Sequence, residues 1–288
     1  MEYWLSWFHQ GNDHPRLVAQ AAERMGFKGI AVPDHVAIPK DYQSVHPSGF
    51  RVLEPDIAYP DPLITMASMA AVTTTVEFMT YVYVLPMREP FSVAKQAATV
   101  AMLSDYRFGL GVGAGWNTEE IALLGYDPRS RGKRMDEMLT IMRDFWDDGE
   151  AEFEGEHYRF GPTGQFPVPK QRIPIWIGGK SDVALRRAAR HDGWMGMSYP
   201  MDEIETLLAK LDVERKRHLD ETGDAGDLPF RRFVMPLVEP SKAAYQQLED
   251  WGIDGTVVML WDPNDPVYRA LEPKLEAMER FAAEYIAG

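Results

Sequence analysis

Three short stretches of this 288-residue chain bring together residue types that could do chemistry. The first, "GIAVPDH" (29–35), is an apolar run ending on two ionisable groups, Asp34 and His35. At the end of a strand, His35 could serve as a proton donor or hydrogen-bond partner. A loop-capping Asp beside a packed His is the ordinary alternative, and no partner base in the local sequence decides between them. The second, "GLGVGAGWN" (109–117), has glycine at 109, 111, 113 and 115 and invites a dinucleotide-fingerprint reading, which Gly109, Gly111 and Ala114 satisfy loosely. The third, "PIWIGGKS" (174–181), ends like a P-loop. That motif, however, needs glycine where Pro174 stands and a loop where "IWI" reads as strand, so Walker chemistry is excluded. What remains is a glycine turn, Gly178–Gly179, followed by Lys180 and Ser181 just before a helix. This is either an anion site on free N–H groups or a plain turn capped by Ser181 or Asp182. Glu119 and Glu120 read as acids at the favourable end of a helix dipole.

Other chemistries fall away. With no cysteine there are no disulfides, thiolate nucleophiles or Cys-ligated zinc. No G-x-S-x-G elbow or H-E-x-x-H pair occurs, and no metal site is expected.

These residues must be positioned by elements, and the hydrophobic period switches repeatedly between short apolar runs and amphipathic segments. Strands are expected at 2–8, 29–35, 76–86, 107–114, 173–179, 193–198, 231–238 and 254–261. Helices are expected at 14–27, 61–73, 91–104, 129–149, 181–191, 201–223, 241–252 and 267–288. Strict alternation implies parallel strands with right-handed crossovers. Eight such units suit a single α/β domain spanning 1–288, a (β/α)8 TIM barrel, with an open doubly wound sheet as the alternative. In either frame the glycine stretch follows the fourth strand. The acids about 20 residues further on lie within a helix, so the Rossmann reading fails. Two segments, 36–60 and 150–172, are too long for simple connections and are expected to be active-site loops.

Thirty basic against 44 acidic residues give a net charge of −14, which opposes binding to nucleic acid or to anionic membranes. The start lacks a signal-peptide pattern, and no run approaches the ~18 apolar residues of a membrane span. A cytoplasmic protein is expected.

Four segments in order, "GFKGIAVPDHV" (26–36), "YVYVLPMREPFSVAKQAATVAMLS" (81–104), "RFGLGVGAGWNTEEIALLGYDPRSRGKRMDE" (107–137) and "IPIWIGGKSDVALRRAARHDGW" (173–194), resemble the luciferase-like monooxygenases, including the coenzyme F420-dependent oxidoreductases. They cover about a third of the chain. The resemblance implies a bacterial-luciferase-like TIM barrel that binds a flavin or deazaflavin at the C-terminal ends of its strands. It implies a non-prolyl cis peptide at Val82–Tyr83 behind the ring. Asp34 and a catalytic His35 would lie near the ring, with Ala114, Gly115, Trp116 and Asn117 contacting the cofactor. Gly178, Gly179, Lys180 and Ser181 would take its phosphate.

Trp116 stands where sugar-phosphate dehydrogenases of the family carry a catalytic Glu, so that activity is not expected. The spelling around the glycine loop is closer to the F420-dependent subset. Hydride transfer between F420 and a small organic substrate is therefore expected, with an FMN-dependent monooxygenase or a non-catalytic cofactor-binding barrel as alternatives. Trp7, Phe8, Tyr83 and Trp116 would wall an apolar cavity, the substrate would lie against 36–60 and 150–172, and a homodimer is implied.

Overall fold

The computed structural model describes residues 1–8, 14–47, 49, 57–262 and 265–287. The first half runs β1 (Glu2–Ser6), α1 (Pro15–Arg24), β2 (Gly29–Val32), α2 (Pro62–Ala70), β3 (Glu77–Thr80), β4 (Tyr83–Val84) and α3 (Pro90–Leu103). After these come β5 (Phe108–Gly113), α4 (Thr118–Leu123), α5 (Arg131–Asp148) and the hairpin strands β6 (Glu150–Glu154) and β7 (Arg159–Gly164). The second half runs β8 (Ile175–Gly178), α6 (Asp182–Ala188), β9 (Gly193–Tyr199), α7 (Met201–Thr222), β10 (Arg231–Pro236), α8 (Lys242–Asp250), β11 (Gly255–Val258) and α9 (Leu271–Phe281).

Local chemistry sets the boundaries. The helix α2 starts where Asp61 accepts from the Ile64 N–H at 3.0 Å and Pro62 fills the first helical position. The helix α5 stops at Gly149, which takes a left-handed conformation (φ 74°).

Parallel pairing runs β1–β2–β3–β5–β8–β9–β10–β11 and returns to β1. The short β4 continues the β3 position alongside β5, so eight positions close into a barrel. The open-sheet alternative is excluded by the β1–β11 ladder. Side chains alternate across the strands. Trp4, Met79, Tyr81, Trp176, Met195 and Phe233 fill the barrel, while a second apolar layer lies between strands and helices.

This packing accounts for half of the glycine stretch. A Cβ on Gly109 would stand 2.2 Å from the Trp176 ring, and one on Gly111 would stand 2.1 Å from the Thr80 carbonyl oxygen. These two glycines make room for large interior side chains rather than for a ligand.

The segment 150–172 departs from expectation. It connects a helix to the following strand, so it begins and ends at the end of the barrel opposite the strand C-termini. Its hairpin climbs the outside of α3 and α5. There Glu137 accepts from the N–H groups of Glu156 (2.8 Å) and Tyr158 (3.0 Å), and Phe160 meets Phe91 edge-on at 5.0 Å. No residue of 150–172 reaches the cavity described next.

Candidate active site

A cavity of about 1350 Å³ opens at the C-terminal ends of the strands. Every stave of the barrel contributes, from Ser6, Pro33 and Tyr81 through Gly113 and Gly178 to Met195, Met235 and Met259. Catalytic and binding residues of such barrels gather at this face because the loops leaving the strands converge there.

One side holds the "DH" pair. Nδ1 of His35 lies 2.6 Å from Oε2 of Glu120, a carboxylate in the first turn of α4 with a side chain only 1% exposed. The same carboxylate accepts from the N–H of Val36 (2.7 Å) and of Ala37 (3.1 Å). Burial alone would raise its pKa, but His35 and these two N–H groups outweigh burial and hold it below the ordinary carboxylate value. An ionised Glu120 makes Nδ1 the donor and leaves Nε2 as the ring nitrogen that Glu120 does not use.

Asp34 turns away from His35. It is fully buried, receives a two-pronged contact from Arg88 (2.6 and 2.8 Å) and accepts from the Val84 N–H at 2.9 Å. Burial pushes the Asp34 carboxyl up, and Arg88, the Val84 N–H and His35 act against it. Asp34 therefore ties the end of β2 to the bend after β4, although it also lines the cavity.

The link between β3 and β4 corrects one expectation. The non-prolyl cis bond is Tyr81–Val82, one residue before the expected Val82–Tyr83. Tyr81 belongs to the barrel interior and Val82 packs against it, so the in–out alternation slips by one and Tyr83 points outward. Tyr83 is buried among the helices under the Arg88 guanidinium (4.0 Å) and does not line the cavity. Val82 does, seated between Gly113 and Gly178; a Cβ on either glycine would come within 2.9 and 2.8 Å of its methyls.

The loop after β5 divides. Ala114, Gly115 and Trp116 line the cavity. Asn117 does not: it is buried, and its side-chain oxygen caps α4 by accepting from the Glu120 N–H at 3.0 Å. Trp7 packs in the outer core against Trp261, whereas Phe8 lines the cavity.

The opposite side is basic. Gly178, Gly179, Lys180 and Ser181 all line it, and Ser181 caps α6 by accepting from the Ala184 N–H at 3.2 Å. Lys180 contacts Glu203 at 2.8 Å, and the buried Arg187 pairs with Asp136 at 2.5 Å. Arg129 and Arg131 join them at the cavity edge; the Arg131 guanidinium donates to the Pro128 carbonyl at 2.6 Å.

Of the other lining residues, His46, Tyr59 and Tyr199 lie outside every stretch quoted above, and Arg131 and Arg187 lie within two of them without having been singled out. For Glu120 a signal existed. Both it and His35 sit just beyond the C-terminal end of a strand, which places them on one face of a closed barrel 85 residues apart in sequence. Reading the acid only as a partner of the helix dipole hides that.

A parallel (β/α)8 barrel with an ionisable pair and a basic turn facing one large cavity defines a cofactor-sized enzyme site at the expected face. The family model for luciferase-like monooxygenases matches residues 10–284, and the chain belongs to that family. An uncharacterized Mycobacterium tuberculosis protein is 36% identical over 275 residues, covering 94% of this chain and 93% of its own. Among solved structures, the coenzyme F420-dependent tetrahydromethanopterin reductase of Methanopyrus kandleri superposes with TM-score 0.71 at 14% identity, over 99% of this chain and 98% of that one. The oxygenating constituent of the FMN-bound 3,6-diketocamphane monooxygenase of Pseudomonas putida gives TM-score 0.63 at 16% identity, over 87% and 72%. The family is enzymatic, with flavin- and deazaflavin-dependent members acting on small molecules. Among the described residues, no helix is long and apolar enough to cross a membrane.

Proposed function

We propose that this protein is an oxidoreductase that binds coenzyme F420 in the cavity and passes a hydride between it and a small organic substrate. When bound, such a deazaflavin accepts or donates a hydride. The observation carrying this reading is a single cavity with the His35–Glu120 pair on one side and Lys180, Arg131 and Arg187 on the other.

The residues fit the group. At about 1350 Å³, the cavity exceeds the roughly 300–1,000 Å³ common for one ligand, leaving space for cofactor and substrate together. Val82, flanked by Gly113 and Gly178, offers a backing for a planar ring, with Ala114 and Gly115 beside it. Gly178, Gly179, Lys180 and Ser181 would hold the phosphate on backbone N–H groups and the Lys180 ammonium. Arg131 extends the positive edge beyond what one phosphate needs, beside Arg129, which is paired with Asp127 at 3.1 Å. That favours a cofactor tail with several negative charges.

His35 is the proposed catalytic residue: its Nε2 holds or hands over a proton at the substrate, while Glu120 fixes the tautomer and balances the charge of the imidazolium. Asp34 and Asn117 would act as positioning residues, through Arg88 and α4, and Tyr83 supports the bend from behind. Phe8, Tyr59 and Trp116 keep water from the reacting pair. The reading carries with it one domain over 1–288, in a cytoplasmic homodimer.

The same basic turn also suits FMN, so an FMN-dependent monooxygenase is the second reading. Titrating the protein with F420 and with FMN by fluorescence quenching separates the two. F420 binding without oxygen uptake supports the proposal. Reduced-FMN binding with oxygen consumption replaces it with the monooxygenase. Binding without turnover of any substrate leaves a non-catalytic barrel.

A further inference from the structure

Five rings, Phe8, Tyr59, His35, Trp116 and His46, line the cavity as one continuous chain of edge-to-face contacts. Centroids are 5.7 Å apart for Phe8–Tyr59, 4.9 Å for Tyr59–His35, 6.0 Å for His35–Trp116 and 5.2 Å for Trp116–His46, with interplanar angles of 69–86°. Tyr42 supports Trp116 from behind at 5.8 Å.

The wall is anchored to the barrel. Glu120 holds the start of the loop after β2 through His35, Val36 and Ala37. Its neighbour Glu119 holds the loop's far part, accepting from the Gln43 N–H (2.7 Å), the Ser44 N–H (3.2 Å) and the Ser44 hydroxyl (2.5 Å). Two consecutive carboxylates on one short helix thus fix the stretch that delivers His46 to the cavity.

The wall's electrostatics differ from those of the basic side. Burial, with His35 and Lys180 nearby, pushes the His46 imidazole down to about 4, so it is uncharged at neutral pH. The two carboxylates behind the wall are engaged by the loop. Trp116 offers an indole N–H that donates to no group among the described residues.

We propose that this wall is the substrate half of the cavity and that it takes a planar, uncharged aromatic carbonyl compound, its oxygen received by the Trp116 indole N–H. The inference rests on the oxidoreductase reading for its role but not for its binding. A flat ring meets rings at offset-stacked or edge-to-face geometry, which a saturated ring of equal size cannot do. A cation drawn to the ring faces is the competing occupant.

The test uses three probes, acetophenone, 1-cyclohexylethanone and phenyltrimethylammonium, titrated by calorimetry into the full chain with and without bound cofactor. Acetophenone should bind about tenfold more tightly than its saturated counterpart. Trp116→Leu should remove that preference. Trp116→Phe should keep the preference while weakening acetophenone roughly two- to tenfold through the lost donor. Circular dichroism confirms that each variant folds, and Trp116→Phe decides the matter if Trp116→Leu does not. Equal affinity for the two ketones, tightest binding of the ammonium, or a preference surviving Trp116→Leu overturns the inference. Failure of both cofactors to bind would sink the functional reading instead, while the probe series on the free protein still decides this one.

Discussion

At the residue scale the site turns on whether an imidazole is held in one tautomer with its charge balanced. His35 meets this condition because Glu120 is buried yet kept ionised by three donors. Glu120→Gln preserves the shape but removes the charge that stabilises a protonated ring. We expect turnover to fall on the order of 10²-fold with cofactor affinity unchanged, read by steady-state kinetics and a cofactor titration. His35→Ala should cost at least as much, and a variant retaining full turnover would remove His35 from the mechanism. The Asp34–Arg88 pair is a different case. Arg88→Ala would leave a fully buried carboxylate without its partner, a change that costs about 3–5 kcal/mol in comparable buried pairs. Chemical denaturation would measure it, and a loss below 1 kcal/mol would show that the pair is dispensable.

Between elements, two close approaches govern the site. The strand β5 passes its neighbours so closely that Gly111 tolerates no side chain: a Cβ there meets the Thr80 carbonyl at 2.1 Å, and backbone cannot swing aside. Gly111→Ala should destabilise the fold by about 1–3 kcal/mol or more. Gly161→Ala, in the open hairpin with nothing within 4 Å, should stay within about 0.5 kcal/mol. Comparable melting temperatures for the two variants would contradict the packing account.

The second approach is the grip of α4 on the loop after β2. Donors from Ser44 and Gln43 hold the Glu119 carboxyl at about 2, below its ordinary 4.5. A carboxylate lowered on folding stabilises above its unfolded pKa and loses that contribution as pH falls through its folded value. The amides of Gln43 and Ser44 should therefore lose hydrogen-exchange protection between about pH 4.5 and 2, before those of β5. Equal loss in both places would mean that the carboxylate does not hold the loop.

For the whole molecule, the charge distribution matters more than its sum. The chain carries −14 overall, which should repel an anionic cofactor at long range. Against that field, Lys180, Arg129, Arg131 and Arg187 gather at one edge of the cavity. Arg131→Gln should raise the cofactor Kd about fivefold at low salt and reduce its dependence on ionic strength, because part of the screened attraction is gone. A salt dependence identical to that of the wild type would place the tail elsewhere.

The eight alternating units, the parallel class of sheet and the candidates at strand ends were all legible in the chain, because hydrophobic period and turn residues are local properties. The cavity face was legible too, since a closed parallel barrel places every strand's C-terminal end on one side. What needed the tertiary structure was every relation between distant segments. Glu120 reads as a helix-start acid until the barrel sets it against His35, 85 residues earlier. Gly109 and Gly111 fit a dinucleotide fingerprint only loosely, and what their missing side chains make room for becomes visible only with Trp176 and Met195 beside them. Tyr83 and Asn117 read as cofactor contacts until the slipped alternation after Tyr81 and the cap of α4 turn them away from the cavity. The place of segment 150–172 after a helix was legible and already argues against an active-site loop; that it forms a hairpin against α3 and α5 was not. Sequence specifies which residues can do chemistry and which end of a strand they occupy. Which of them meet is decided by closure of the sheet, since hydrogen bonds and van der Waals contacts act over a few ångströms and ignore separation along the chain.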